Sequence, residues 1–584
     1  MQADQVIGHN IIGYDLPLAE KLYPWFSISR EKVVDTLILS RLIWPNLAEL
    51  DARAKKVEGK LTGSHSLKAW GYRLGYNKLE FDEWDEFSEE MLAYNVVDVE
   101  VTVRLWILIV SKKVDPRAWE LEHQVAFIIA KQERYGFAFD EQGAQQLAAR
   151  LQSRRLELEE KLQQTFKPFY LADKVVTPKR TTNGTKIPGT WEGAPYTKIR
   201  LTVFNPGSRH HIAYMLKRLY NWKPTEFTES GQPKIDETVL GKLEWPEAKL
   251  LNEYFLVQKR LGMVVDGENA WLKLVRNGRI YGEVITNGAV TGRATHRNPN
   301  VAQTPAVGAP YGAECRALFR PSFGRVQVGI DVSGLELRCL SHFLARWDGG
   351  SYGRIVCDGD VHWANTQAAL GVTSERDEHN HPEHKLYRDG IKTFIYAFLY
   401  GAGGWKIGMT IFDIILKLKA RNLVYNNLLK KFFKGNEAPN EDDFKSAGNK
   451  LKREFTKKTP GLEKLIEGVK QACERGYLFG LDGRKLHIRS DHAALNTLLQ
   501  SAGALICKRW MVELDWAITE RGWENKCQQV AWVHDELQFE ADPDIAEELG
   551  KLAVECIVRA GNYFNIKVPL TGEYKIGNNW KECH

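Results

Sequence analysis

The chain has 584 residues, 43% of them hydrophobic and 26% charged, which is too long for one core and ordinary for a globular protein of about two to four domains. No apolar run approaches a membrane span and the N-terminus lacks a signal-peptide pattern, so no membrane partner is expected and the expected location is the cytoplasm. The net charge is +6, and residues 385–485 carry 21 Lys/Arg against 11 Asp/Glu; this basic stretch suits a polyanion-binding subdomain, but on charge alone solvated helical faces explain it equally well.

In chain order, residues 1–112 read as α/β, with strand-like VIGHN followed by helical stretches such as SEEMLAYNVVDVEVTVRLWIL. Asp115-Pro116 marks a boundary before a helix expected near Trp119. Residues 119–166 alternate apolar and charged positions at helical spacing and suggest a long amphipathic pair. Residues 170–200, with Pro178, Pro188 and Pro195, read as a loop. From 276 onward short strands and helices alternate, and 417–458 is Lys-rich and helical, interrupted by GNEAPNEDD. The eight cysteines never form a C-x-x-C pair, so reduced thiols are expected rather than zinc ribbons or disulfides.

Two stretches place carboxylates at strand ends. In RVQVGIDVSGLELRCLSHFLARW (325–347), Val326, Val328 and Ile330 alternate as a strand ending at Asp331, where a carboxylate beside a backbone carbonyl suits a hard divalent cation. In QQVAWVHDELQFEAD (528–542), His534-Asp535-Glu536 reads as the bend between two strands. Taken alone, a hairpin turn with solvated acids is the plainer reading of that bend. Two aspartates from separate strand ends are, however, the arrangement that holds two metal ions for in-line phosphoryl displacement.

In RDGIKTFIYAFLYGAG (388–403), Arg388, Lys392 and Tyr396 stand four apart on one helical face. Their span of about 12 Å matches a triphosphate plus sugar. The alternative, an amphipathic surface helix, would have to expose Phe394, Ile395, Phe398 and Leu399. A second stripe, His492, Asn496 and Gln500, offers uncharged hydrogen-bonding groups suited to base edges in a minor groove, or equally to a satisfied core.

The ordered motifs T-G-R (291–293), D-x-S-x-L-E-L-R (331–338), R-x-x-x-K-x-x-x-Y (388–396) and H-D-E (534–536) resemble those of family A DNA polymerases. TGRATHRNPNVAQTP, DVSGLELRCLSHF and LNTLLQSAGALICK are similar to the replicative polymerases of short-tailed bacteriophages. The resemblance implies a multidomain α/β and α+β chain: a right-hand polymerase preceded by a partial ribonuclease-H-like exonuclease domain. Its parts would be exonuclease-like 1–114, thumb 115–278, palm 279–345 and 480–584, and fingers 346–479. It further implies that Asp331, Asp535 and the Val332 carbonyl bind two Mg2+ ions, with Mn2+ able to substitute, and that Glu536 assists. Lys392 would act on the triphosphate with Arg388 and His362 beside it, and Tyr396 and Tyr400 would lie at the nucleotide. Glu336 would exclude ribose, although Ser333-x-x-Glu336 is also a helix-capping pattern. Arg293, Gln303, His492, Asn496, Gln500 and His534 would touch primer or template.

In this family two later exonuclease aspartates would correspond to Asp15 and Asp98, but no Asp-x-Glu pair precedes Asp15. Proofreading is therefore expected to be absent or weak. Expected partners are primer-template DNA, dNTPs and a phage helicase–primase in an infected bacterium. The short 170–200 segment argues against a thioredoxin partner. A single-subunit RNA polymerase and a non-catalytic primer-template binding protein are the rival readings; Glu336 speaks against the first, and intact Asp331, Asp535 and Lys392 against the second.

Overall fold

The computed structural model describes residues 3–57, 59–79, 81–83, 85–183 and 189–584. They form two compact units. The first contains the described residues up to Phe137, Tyr281–Thr304 and Arg320–His584; the second contains Ala138–Ile280 and Pro305–Phe319.

The first unit is built on a four-stranded antiparallel sheet in the spatial order Cys527–Val533, Glu536–Ala541, Val326–Val332, Gly572–Gly577. Val328, Ile330, Leu537 and Phe539 are buried. The helix Ala546–Tyr563 packs against the sheet, and Trp510 of the 30-residue helix Asp491–Glu520 donates its indole N–H to the Ala553 carbonyl at 2.9 Å. Gly329 is glycine for a reason of space: a Cβ there would meet the Cys583 carbonyl at 2.4 Å, because the residues around Cys583 lie across the strand.

Near the N-terminus, Val6–Gly8 and Val33–Asp35 pair in a two-stranded parallel sheet. The helix Glu89–Ser111 starts where expected, with Ser88 accepting from the Met91 amide and Glu89 and Glu90 in its first turn. The next helix begins at Pro116, earlier than the expected Trp119, because Asp115 accepts from the Arg117 amide and proline is tolerated at the first helical position. The sequence reading assigned this helix to the thumb segment from residue 115, but it packs within the first unit. A buried charge network explains this: Glu122 meets both Lys508 and Arg484, and Arg484 also meets Asp482 at 2.6 Å. Two cations and two anions, almost completely buried, balance one another, and removing one would leave an uncompensated buried charge.

The helices of 346–479 complete this unit. Glu383–Leu399 buries Ile391, Phe394, Ile395 and Leu399, so the surface-helix alternative does not hold. Phe394 and Phe398 each pack against Phe455 of the helix Glu441–Lys458 with ring centroids 5.5 Å apart.

In the second unit, Glu141–Thr165 packs against Pro246–Leu261, with Arg154 bridging to Glu253 at 2.7 Å. The segment read as a loop is a correction. Phe169–Val176 and Tyr196–Thr202 form an antiparallel ribbon with a register irregularity between Ala172 and Val175; Pro188 and its neighbours 184–188 lie outside the described residues. The ribbon buries little, leaving Tyr170, Val175, Tyr196, Ile199 and Leu201 exposed; Ile199, Leu201 and Val203 do alternate with polar residues, but the prolines at 178, 188 and 195 outweigh that short pattern and make the segment read as a loop. Among the described residues no helix is long and apolar enough to cross a membrane.

Candidate active site

The strand Val326–Val332 continues one residue beyond Asp331, and its register places Asp331 opposite Glu536. The bend between the neighbouring strands is two residues, His534 and Asp535, with His534 in the left-handed region at φ 59°. The Val332 amide donates to the Asp535 carbonyl at 3.1 Å. The backbone thus fixes both aspartates at the same edge of the sheet. Glu536 is not part of the open turn. It is buried, and its carboxylate accepts from Gln538 at 2.5 Å and Trp580 at 2.6 Å, with His584 at 3.2 Å.

The charge in this cleft is poorly neutralised. Desolvation, then Asp535 and Glu536, push the Asp331 carboxyl up to about 7. Desolvation, then Glu336, push Asp535 up to about 6. Acids this crowded hold protons unless a cation replaces them. A carboxyl whose folded pKa is raised gives stability that is complete below its unfolded value and lost as pH rises through the folded one. The protein should therefore lose this contribution as pH climbs from about 4 to about 7, and a divalent cation bound there would compete with protons over the same window. The rise in melting temperature on adding Mg2+ should be small at about pH 5 and full above about pH 7. Differential scanning calorimetry checks this, and an equal rise at both pH values would show that no proton–metal competition occurs here.

The helix Leu335–Asp348 follows through Gly334, whose φ of 59° carries the chain from strand to helix. Gly334, not Ser333, is the N-cap, and no side chain caps this end, so the capping reading of Glu336 is not what the structure shows. Instead, Glu336 accepts from the Tyr400 hydroxyl at 2.9 Å and lies 3.8 Å from Arg293. Burial, followed by Glu336, pushes the Tyr400 phenol up to about 12. His534 is lowered by burial and then by Arg293. His296, which the sequence reading passed over, is lowered to about 4 by burial and by His534; its place within T-G-R-A-T-H was the available signal.

On the helix Glu383–Leu399, Lys392 is exposed and has no hydrogen-bond or ion-pair partner among the described residues. Arg388 is held by Asp360, Nε to Oδ2 2.9 Å, and Arg376 reaches the same carboxylate at 2.7 Å. Asp360 also caps the helix Val361–Leu370 through the Trp363 amide at 3.1 Å. Burial opposes its charge, but these bonds hold its carboxyl below the ordinary range. Asp360 was missed because an acid before a helix reads as a cap and nothing more. His362 lies 6.4 Å from the Tyr396 ring, centroid to centroid, and is lowered by burial and then by Lys392 and Arg388. Tyr396 is half-buried and raised by burial, then by Glu336 and Asp535; four residues on, Tyr400 makes the hydrogen bond to Glu336.

His492, Asn496 and Gln500 lie on the helix Asp491–Glu520. His492 is exposed, the other two are half-buried, and the Asn496 Oδ1 is buried without a partner. This stripe runs toward Gly503, which packs beside Leu335 of the motif helix. Gln303 stands exposed on the turn Val301–Gln303. Asp15 and Asp98 are not brought together by any described contact: Asp98 pairs with Lys78 at 2.6 Å, while Asp15 opens a helix and is raised by burial and, among charges, by Asp35.

The family model "DNA polymerase family A" matches residues 189–582. The chain is 37% identical to the DNA-directed DNA polymerase of Enterobacteria phage T3, over 99% of this chain and 92% of the relative. It is equally similar to that of Escherichia phage T7, at 37% with the same coverage. A solved structure of the POL domain of Pol1 from M. smegmatis, in complex with DNA primer-template and dNTP, superimposes with a TM-score of 0.67. That match covers 94% of this chain and 83% of that one at 18% identity, a likeness of fold.

Proposed function

The chain belongs to DNA polymerase family A and is a DNA-directed DNA polymerase with the right-hand fold, and from that premise we propose how its residues divide the reaction. The observation that supports the proposal is the register of the sheet, which brings Asp331 and the Asp535 turn to the same end of its two central strands.

Asp331, Asp535 and the Val332 carbonyl form an all-oxygen donor set, which suits Mg2+, with Mn2+ able to substitute. The raised carboxyls fit such ions, because they have too few cationic neighbours to be ionised cheaply otherwise. When bound, two such ions would supply Lewis acidity to the primer 3′-hydroxyl and charge to the departing pyrophosphate. Glu536, fixed by Gln538 and Trp580, anchors the start of the strand that follows Asp535. Lys392 meets the triphosphate as a proton donor or charge clamp. Arg388 reaches the phosphates from its seat on Asp360, and His362, neutral beside these cations, adds a hydrogen bond. Arg293, His534, Gln303 and the His492–Asn496–Gln500 stripe line the primer-template path.

Glu336 and Tyr400, joined at 2.9 Å, form the floor beneath the sugar. Glu336→Ala should raise ribonucleotide incorporation relative to deoxyribonucleotide by about tenfold or more, since a steric and desolvation barrier of over about 1.4 kcal/mol is removed. Single-nucleotide competition measures it, and an unchanged ratio would remove Glu336 from sugar selection.

We assign the fingers to 346–479, the palm to 279–345 with 480–584, the thumb to the segment from 115 to 278, whose first helix Pro116–Tyr135 packs within the first unit, and an exonuclease-like remnant to 1–114. Proofreading by this chain is weak on this reading, because Asp98 is committed to Lys78 and no third carboxylate gathers with Asp15 among the described residues. The purified chain should degrade single-stranded DNA slowly, and the Asp15→Ala, Asp98→Ala double variant should degrade it no more slowly. Fast magnesium-dependent 3′–5′ degradation lost in that variant would contradict the reading. Replication of a phage genome alongside a helicase–primase is the setting we propose, in the cytoplasm of the infected host.

A further inference from the structure

Ahead of the helix that carries Arg388, the chain runs Asp377-Glu378-His379-Asn380-His381-Pro382-Glu383-His384. Three of these side chains converge: donor atoms of His381, Glu383 and His384 all lie within 4.8 Å of one another. Asp377 makes this possible by accepting the amides of His379 at 3.0 Å and Asn380 at 2.9 Å, which turns the chain back onto the start of the helix. His381 is exposed, with Nδ1 3.2 Å from Glu383 Oε1. Its ring stacks on that of buried His384, centroids 4.9 Å apart and planes 19° from parallel. Two imidazoles face to face cannot both carry a proton cheaply.

We infer that His381, Glu383 and His384 bind one zinc-class divalent cation, which ties segment 374–382 to the first turn of the helix Glu383–Leu399. Two imidazoles and one carboxylate are the donors that Zn2+ takes, with water in the remaining position, and they discriminate against Mg2+, which prefers oxygen. The carboxylate cleft, with oxygen donors only, has the opposite preference. One ring nitrogen of His384 now accepts the Asp377 amide at 3.1 Å and the other lies 3.5 Å from the Ser374 hydroxyl; the cation takes the place of one of these partners. The positive end of the helix dipole opposes a cation here, and Glu383 in the first turn offsets it. An exposed His381–Glu383 ion pair alone would give no reason for the third donor to face them. The same segment carries Arg376, which shares Asp360 with Arg388 at 2.7 and 2.9 Å. An ion at this point would therefore brace the neighbourhood from which Arg388 reaches out.

The test is metal content and affinity, not activity. The untagged full chain is stripped of metal, equilibrated with Zn2+ in an excess of Mg2+, and analysed for zinc per chain, with the affinity taken from competition with a chromophoric chelator. One equivalent is expected in the wild type and in the Asp331→Asn, Asp535→Asn chain, which excludes capture by the carboxylate cleft. His381→Ala and Glu383→Gln, both away from the core, should each weaken binding more than about tenfold, the least that disturbing a zinc ligand's surroundings costs. His210→Ala, an exposed histidine elsewhere, should leave it unchanged. Less than one equivalent in the wild type, or an equivalent that survives both His381→Ala and Glu383→Gln, overturns the site.

Discussion

Asp331→Asn and Asp535→Asn are each expected to slow primer extension by at least about a thousandfold while leaving primer-template affinity within severalfold. A thousandfold loss corresponds to about 4 kcal/mol of transition-state stabilisation, within what the loss of one charge-stabilising group costs in a dry site. Asparagine keeps the shape of the side chain and removes the charge. The fold around it should persist, because the contact that sets the geometry is made by backbone, the Val332 amide donating to the Asp535 carbonyl. The neighbouring carboxyl reports on the change independently. In Asp535→Asn the second-largest cause that raises Asp331 is gone, so Asp331 should titrate below about 7, with desolvation, Glu536 and Glu336 still holding it above the ordinary range. Single-turnover extension measures the first effect, gel shift the second and NMR titration the third. Near wild-type extension by either variant would show that the two aspartates are not the metal-binding pair.

Much of this site can be read in the sequence because its residues lie on regular elements with a clear period. Val326, Val328 and Ile330 alternate up to Asp331, and the four-residue spacing of Arg388, Lys392 and Tyr396 survives as one face of a helix whose opposite side is buried. What could not be read depends on partners distant in the chain. Asp360 looks like a cap until Arg388, 28 residues on, folds against it. Glu536 looks like an exposed turn acid until Trp580 and Gln538 enclose it. Lys508 sits in an apolar helix where nothing local hints that Glu122, far upstream, balances it; that pairing also draws the helix Pro116–Tyr135 into the first unit. The ribbon Phe169–Val176 with Tyr196–Thr202 is hidden for the opposite reason. It stands largely exposed, and the short alternation of Ile199, Leu201 and Val203 lies among prolines that signal a loop. The His-rich run 379–384 was visible as composition, but only the turn at Asp377 shows that three of its donors converge.

Tyr396→Phe is expected to make the enzyme discriminate against 2′,3′-dideoxynucleotides by roughly ten- to hundredfold more than wild type does, with little change in the use of ordinary dNTPs. The phenol ring is half-buried, and burial followed by the charges of Glu336 and Asp535 keeps its hydroxyl protonated. The hydroxyl is therefore a hydrogen-bond donor, and we propose that it faces the reacting end of the nucleotide. One turn further on, Tyr400 already donates to Glu336 at 2.9 Å, and on the proposed assignment the two phenols together would line the space of the sugar. With a normal nucleotide, the sugar's own 3′-hydroxyl fills the polar gap between base and triphosphate. When that hydroxyl is missing, the Tyr396 oxygen fills it; a phenylalanine leaves the gap unsatisfied. An unmade hydrogen bond in such a dry place costs about 1–3 kcal/mol, which is roughly ten- to hundredfold in rate or somewhat more. Glu336→Ala should leave this particular ratio nearly untouched, because it acts at the 2′ and not the 3′ position. Competition between dideoxy- and deoxynucleotides on one template, with both variants beside the wild type, separates the two effects. Equal discrimination by wild type and Tyr396→Phe would mean that the hydroxyl points into water and that this helix face does not meet the sugar.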